Sequence, residues 1–286
     1  MVAEGSVALP ARVTSQDTYA VLRACDALER VGGVATLDAS AVTMFGPLGA
    51  ALVAAAASTR RARGQETRFV PPLDEEARHF VEEIGFDDVV CGRASEGSGT
   101  RALRQLRALD PSYTHEIAEL LMRGVPGTDE TTAYPVQLCL NELLQNVFEW
   151  SHSTVGCIVL SRWYRKTRSV RIAVVDRGIG IPAALRQKRV EGLHRKSDAD
   201  VIVAAVTTAK LTSRVGRAGG LGLKTIREVV CGRGGRMTVV SQGAKVVWSG
   251  ERRAIYRSLP LRGTAIELDF RPTAPFGDPG DYVALF

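Results

Sequence analysis

The residues of this chain best suited to chemistry are a glutamate and an asparagine four positions apart, Glu142 and Asn146. We predict that they lie on a helix that starts near Pro135 and runs to about Trp150, so that both side chains emerge on one face. A carboxylate there can act as a general base, and an asparagine amide oxygen is a hard ligand for Mg²⁺. Taken alone, the same spacing also describes an ordinary polar helix face.

A second candidate site begins where an apolar stretch ends, at Asp176 in the sequence DRGIG (residues 176–180). A buried carboxylate at a strand end can accept a hydrogen bond from an amino group such as that of adenine. Gly178 and Gly180 would let the backbone turn and approach a planar ring closely. This pattern alone is more often a plain turn, but it becomes informative when it follows the glutamate–asparagine helix.

Glycines at residues 219–223 precede a further predicted helix, and backbone N–H groups at such a helix start bind anions. The residues expected at this anion site are Gly219, Gly220, Leu221, Gly222 and Leu223. No Gly-Lys-Ser/Thr follows, so the segment is not a P-loop, nor is it a dinucleotide fingerprint after a strand. Lys210 and Arg214, in the basic segment just before the glycines, could contact a bound anion, although a solvated surface explains either residue equally well.

These motifs occur in a fixed order, and a Gly-Thr pair at residues 263–264 completes them. The set ELLQN, DRGIG, GGLGL and GT resembles the boxes of the GHKL superfamily. That superfamily includes anti-sigma factor kinases, sensor histidine kinases, gyrase-type topoisomerases and heat-shock ATPases. The resemblance implies a Bergerat fold that binds ATP together with Mg²⁺.

The resemblance also implies a role for each matching residue. Asn146 would hold Mg²⁺ and Glu142 would be the catalytic base. Asp176 would contact the adenine amino group, supported by the hydroxyl of Thr264. The chain departs from the family at Trp150, because many members carry His or Lys there, and this puts the catalytic rate in doubt more than ATP binding.

The first part of the chain alternates predicted strands and helices, which is typical of a small α/β unit. The text TLDASAVTMFGPLGAALVAAAASTRRARGQETRFV, followed by VEEIGF, resembles a STAS domain, the fold of anti-sigma factor antagonists. In that family the loop before the long helix carries a serine that accepts phosphate. Here the loop reads MFGPLG at residues 44–49 and lacks that serine, so we expect a degenerate STAS-like domain used for protein contact.

We therefore predict an α/β (α+β) protein in which a small STAS-like domain precedes a Bergerat sandwich with a mixed sheet and helices on one face. The predicted boundaries are a STAS-like domain at 1–92, a linker and helix at 93–123, an ATP-binding domain at 124–272 and a tail at 273–286. Residues 94–100 are the expected linker and residues 101–123 the expected helix. Charge supports the division, because residues 1–100 carry about −5 and residues 101–286 about +11.

Composition excludes several other classes of protein. The five cysteines are scattered, which fits neither a zinc site nor a disulfide framework and favours reduced thiols in the cytoplasm. We expect no signal peptide, and the apolar run at residues 48–57 is too short to span a bilayer. Although the second half is basic, it has no helix-turn-helix or interleaved aromatic and basic residues, so nucleic acid is not an expected partner.

Two functions of different kinds remain open. The first is a cytoplasmic bacterial regulatory enzyme that binds Mg-ATP and passes the γ-phosphate to water or to a Ser/Thr of a partner protein. The second is a non-catalytic module in which ATP controls protein contacts made through the STAS-like half. Both functions imply ATP, Mg²⁺ and a regulatory protein partner. Neither implies binding to a membrane, and both are compatible with a homodimer.

Overall fold

The computed structural model of the chain describes residues 4–93, 102–124, 130–190, 192–208 and 222–271. The expected linker at residues 94–100 and the tail at 273–286 lie outside these ranges. None of the described helices combines the length and the hydropathy that a membrane span requires.

The amino-terminal module, residues 4–93, contains the predicted alternation of strands and helices. Three strands form a parallel sheet in the order β1-β3-β5: β1 (Glu4–Ala8), β3 (Val34–Asp38) and β5 (Glu66–Val70). Two short strands pair separately: β2 (Arg12–Val13) and β4 (Met44–Phe45). The helices are α1 (Thr18–Arg30), α2 (Pro47–Ala62), α3 (Glu75–Ile84) and α4 (Phe86–Cys91).

The following residues build a five-stranded sheet in the order β6-β7-β8-β10-β9. Its strands are β6 (Leu103–Leu106), β7 (Cys157–Tyr164), β8 (Ser169–Asp176), β9 (Arg236–Ser249) and β10 (Arg252–Phe270). Its helices are α5 (Pro111–Gly124), α6 (Glu130–Asn146), α7 (Ile181–Gln187), α8 (Asp198–Thr207) and α9 (Gly222–Cys231), with a π-helical turn at Val147–Ser151 after α6.

Three details differ from the sequence prediction. Every pairing between described strands of this sheet is antiparallel, whereas a mixed sheet was expected. The prediction of a helix over 101–123 is wrong for Leu103–Leu106. These residues form the strand β6, because they pair with β7, which is distant in the sequence. Pro135 lies inside α6 rather than in its first turn, because the helix begins earlier, at Glu130.

The five-stranded sheet is buried on both faces. Side chains alternate along a strand, so Ile172 and Val174 of β8 pack with helices α6, α8 and α9, while Ala173 and Val175 pack with the amino-terminal module. That second face is covered by α2, which contacts β7, β8 and β10. Residues 48–57 of α2 are buried without exception, as expected of a helix that lies between two sheets. The small alanine side chains of α2 allow its backbone to lie close to the strands that it contacts.

Arg60, near the end of α2, is a fully buried cation that holds the amino-terminal module together. Its guanidinium donates to the carbonyls of Leu28, Val31, Gly33 and Glu66 and to the hydroxyl of Thr67. Two of these carbonyls lie at the end of α1, where the helix dipole favours a positive charge. Arg60 therefore connects the end of α1, the segment before β3 and the strand β5 to α2.

We predict that Arg60→Met lowers the free energy of unfolding by about 3 kcal/mol, because it leaves several buried carbonyls without a donor. Arg63→Met is the matched control, since Arg63 is exposed on the next turn and should change stability by less than about 0.5 kcal/mol. Urea denaturation of both variants measures the difference. Equal stability of the two variants would show that the buried hydrogen bonds of Arg60 are not structural.

Candidate functional site

The candidate site is built on the end of α6. The helix ends at Asn146 and continues into the π-helical turn, whose wider winding places Trp150 and Ser151 on the same pocket as Asn146. Turns of this kind occur often at functional sites. The backbone carbonyl of Ser151 accepts a hydrogen bond of 2.7 Å from the N–H of Ile179, which joins this turn to the glycine loop after β8.

The pocket beside this turn is a mainly apolar slot with a few polar groups. Its apolar lining consists of Leu143, Val147, Val174, Ile181, Leu185, Leu223 and Ile266. Its polar lining includes Asn146, Asp176, Lys188 and Thr264. Apolar walls with a few convergent polar groups are typical of small-molecule sites.

Asp176, which is 4% exposed, is the buried carboxyl of this pocket. Burial raises its pKa from 3.8 to about 7, although the backbone N–H groups of Gly178 and Thr264 and the charge of Arg177 act in the opposite direction. The N–H of Gly178 donates to Oδ1 at 2.8 Å. The carboxyl is therefore held in place by the backbone and titrates close to neutral pH.

Both glycines of the loop after Asp176 are required by its geometry. A Cβ atom on Gly178 would lie 1.8 Å from the carbonyl oxygen of Ser151. Gly180 has a φ of +80°, and a Cβ there would lie 2.7 Å from the carbonyl oxygen of Gly263. The loop thus packs directly against the turn after α6 and the segment before Thr264.

Two further residues, which the sequence motifs did not identify, hold this loop from β9. Ser241 accepts the N–H of Ile181 at 3.1 Å and donates to the carbonyl of Gly263 at 2.8 Å. Its hydroxyl also lies 3.4 Å from that of Thr264. Gln242 donates to the carbonyl of Ile179 at 2.7 Å. No local pattern marks these residues, because their partners come from distant parts of the chain.

Glu142 lies one turn before Asn146 and is buried. Its Oε2 accepts the backbone N–H of Gly222 at 3.3 Å, at the first residue of α9. The structure thus brings the expected catalytic base and the described end of the glycine motif into direct contact. Asn146 differs, because its buried Nδ2 has no hydrogen-bond partner in the part of the chain that the structure describes.

A cation of this pocket, Lys188, was not predicted. Its ammonium lies over the ring of Trp150, with the Nζ atom 3.4 Å from the ring centroid. Desolvation lowers the pKa of Lys188, while the charge of Glu149 raises it. Lys188 follows α7, so a positive charge from a different part of the chain lies beside Trp150, where the sequence lacks the expected basic residue.

The predicted site residues fall into three groups. Those that line the pocket are Asn146, Asp176, Gly180, Leu223 and Thr264. Those beside it are Glu142, Gly178 and Gly222. Those outside the described residues are Lys210, Arg214, Gly219, Gly220 and Leu221.

A larger cleft of about 420 Å³ lies between the amino-terminal module and the five-stranded sheet. Its lining includes Arg12, Arg162 and Arg171 but none of the predicted site residues. The smaller slot, which contains five of those residues, is therefore the candidate functional site.

Comparison with known proteins assigns the second part of the chain to a family. The family model of the histidine kinase-, DNA gyrase B- and HSP90-like ATPases matches residues 132–274. No curated protein sequence matches the chain.

Two solved structures similar to the chain are gyrase proteins. The 43K ATPase domain of Thermus thermophilus gyrase B, in complex with an aminocoumarin, is 18% identical with a TM-score of 0.30, over 60% of this chain and 43% of that one. The B-subunit of the DNA gyrase from Myxococcus xanthus is 12% identical with a TM-score of 0.30, over 59% of this chain and 47% of that one. The chain thus covers less than half the length of either structure.

We predict that the buried carboxyl of Asp176 makes stability depend on pH. Its pKa is raised from 3.8 to about 7, so the folded state binds more protons than the unfolded state between these values. The contribution of this group to the free energy of unfolding is therefore greatest below about pH 4, and it is lost as the pH rises to and through 7. The loss is up to about 4 kcal/mol, from roughly three pKa units of about 1.4 kcal/mol each.

Asp176→Asn removes this titration. The free energy of unfolding of the variant minus that of the unaltered protein should rise between pH 4 and pH 7 and stay level above pH 8. Urea denaturation across this pH series measures it. A difference that is constant from pH 4 to pH 8 would contradict the raised pKa.

Proposed function

Because the chain belongs to the histidine kinase-, DNA gyrase B- and HSP90-like ATPase family, we propose that it is a cytoplasmic bacterial regulatory protein that binds Mg-ATP. In this proposal it hydrolyses ATP or transfers the γ-phosphate to a Ser/Thr of a partner protein. Family membership supports ATP binding and ATPase or kinase activity in general. The resemblance of the first module to STAS domains favours a role beside anti-sigma factor kinases.

The observation that carries the proposal is the buried carboxyl of Asp176 in an apolar slot. An ionised carboxylate there accepts hydrogen bonds and donates none, so it suits the amino group of adenine and repels a carbonyl at the same position. The aliphatic walls suit the faces of a flat base. Leaving this carboxylate without a ligand is unfavourable, which is consistent with its raised pKa.

Asn146 fits the role of Mg²⁺ ligand and phosphate contact. Its amide is at the pocket, its buried Nδ2 lacks a partner among the described residues, and its Oδ1 is a hard oxygen. We propose that Oδ1 would hold Mg²⁺ and that Nδ2 donates to a phosphate oxygen. When bound, Mg²⁺ would supply neutralisation of the phosphate charge.

Glu142 is proposed as the general base. Its carboxylate accepts the N–H of Gly222, at the start of α9. A phosphate oxygen competes for that N–H, because helix starts bind anions. Once a phosphate oxygen accepts this N–H in place of Glu142, the carboxylate of Glu142 can take the proton from an attacking water or hydroxyl.

Lys188 is proposed to supply the positive charge that the family often places at the position of Trp150. Its ammonium already lies on the Trp150 ring at the pocket. Desolvation disfavours its charged form, so a nearby phosphate anion would stabilise the cation. The replacement of a basic residue by Trp150 therefore need not remove the charge.

A second candidate function is a non-catalytic module in which ATP controls protein contacts. The observation that favours it is the loop at residues 44–49, which lacks the phosphoacceptor serine. Phe45 and residues 46–49 of this loop are buried. In this proposal the amino-terminal module as a whole is the contact surface, and ATP occupancy rather than turnover is the signal.

We predict that Glu142→Gln keeps the affinity for Mg-ATP within about threefold but lowers phosphate release by at least about a hundredfold, because only proton removal is lost. Lys188→Met should instead weaken ATP binding by roughly tenfold and leave adenosine binding unchanged, because only ATP carries the phosphate charge. Calorimetry and a phosphate-release assay on the intact chain measure both.

Each variant is a control for the other. Both change a side chain at or beside the pocket, but only Glu142→Gln removes the proposed general base. Unchanged phosphate release in Glu142→Gln would reject Glu142 as the base. If the unaltered chain binds ATP without releasing phosphate, hydrolysis is rejected, and either the non-catalytic function or transfer that requires the partner protein is the correct one. An equal loss of ATP and adenosine binding in Lys188→Met would reject the phosphate contact.

A further inference from the structure

The glycine loop of the nucleotide pocket is joined to the amino-terminal module by a largely buried ion pair. Arg177, the residue after Asp176, donates through Nη2 to Oε1 of Glu29 near the end of α1. The two side chains are only 11% and 15% exposed. An ion pair so shielded from water depends strongly on having both partners in place. It thus differs from the exposed pair of Asp26 and Arg30 on the same helix.

Alternation along β8 explains why this pair is connected to the pocket. Successive side chains at a strand end point to opposite faces of the sheet. Asp176 therefore faces the pocket, and Arg177 reaches the amino-terminal module. Because Arg177 directly follows Asp176, the contact of Arg177 with Glu29 restrains the backbone on which the carboxyl of Asp176 is held.

The same alternation occurs on β10, the neighbour of β8. Ile266 lines the pocket, whereas Glu267 faces the other way and its Oε2 accepts the N–H of Leu48 at 3.1 Å. This contact caps the first turn of α2, which otherwise packs on the sheet through apolar side chains. The residue directly after β8 and a residue of β10 thus make polar bonds to the amino-terminal module, next to Asp176 and Ile266, which face the pocket.

We propose that Glu29 is a positioning residue for the nucleotide site, acting through Arg177, and that the amino-terminal module thereby controls ATP affinity within the same chain. This inference rests on the proposed function, because it names the regulation of that site. Apolar contacts of α2 hold the module on the sheet, while the pair of Glu29 and Arg177 transmits its position to the Asp176 loop. By linkage, bound ATP must in turn strengthen the docking of α1.

The test is Glu29→Gln in the full chain, titrated with Mg-ATP and, separately, with inorganic triphosphate. We expect ATP affinity to fall by roughly tenfold, within the range typical of coupled sites. Triphosphate affinity should stay the same, because triphosphate makes no contact to Asp176. General destabilisation would weaken both ligands together, so the comparison separates positioning from structure.

Asp26→Asn is the matched control, because it breaks the exposed pair on the same helix, three positions before Glu29. We expect this variant to bind ATP as the unaltered chain does. A double-mutant cycle of Glu29→Gln with Arg177→Met should show that the two losses are not additive, since either change removes the same contact.

A second readout uses hydrogen exchange of the α1 backbone. ATP should slow exchange of the α1 amides in the unaltered chain and in Asp26→Asn, but not in Glu29→Gln. Equal ATP affinity of Glu29→Gln and the unaltered chain, or equal loss for ATP and triphosphate, would overturn this inference alone. Absence of ATP binding by the unaltered chain would overturn the proposed function together with it.

Discussion

The structure depends on burial of both faces of one antiparallel sheet. Because side chains alternate along a strand, neighbouring residues of β8 and β10 belong to two different environments. One face carries the helices and the pocket, and the other is covered by α2. The apolar length of α2 is explained by this position between two sheets, and so is the near-continuous apolar sequence of β8. The position of the amino-terminal module relative to the pocket follows from the same arrangement.

Within this apolar frame the carboxyl of Asp176 is an energetic exception. A buried carboxylate is costly unless its oxygens are bonded, and two backbone N–H groups offset only part of that cost, since the pKa remains near 7. The unpartnered Nδ2 of Asn146 is a second polar group left incomplete among the described residues. A ligand that donates a hydrogen bond to Asp176 and accepts one from Asn146 would satisfy both groups. The two residues would then lower the stability of the fold and raise its affinity for that ligand.

Sequence patterns predicted what depends on neighbours along the chain. The four-residue spacing of Glu142 and Asn146 on α6, and the order of carboxylate and glycines after β8, follow from local geometry. The strand β6 could not be recognised, because its pairing partner β7 is far away in the sequence. For the same reason Ser241 and Lys188, which reach the site from other elements, carried no local signal. The mixed sheet was an expectation from the family rather than from the residues.

The most direct measurement is calorimetric titration of the intact chain with Mg-ATP at pH 8 and at pH 6, with phosphate release followed in the same samples. If Asp176 accepts the adenine amino group as a carboxylate, ATP binds at pH 8 and binds more weakly at pH 6, because its pKa is about 7 and protonation removes the acceptor. The same samples should release phosphate steadily at pH 8. Absence of ATP binding at pH 8 would contradict the assignment of this pocket as a nucleotide site.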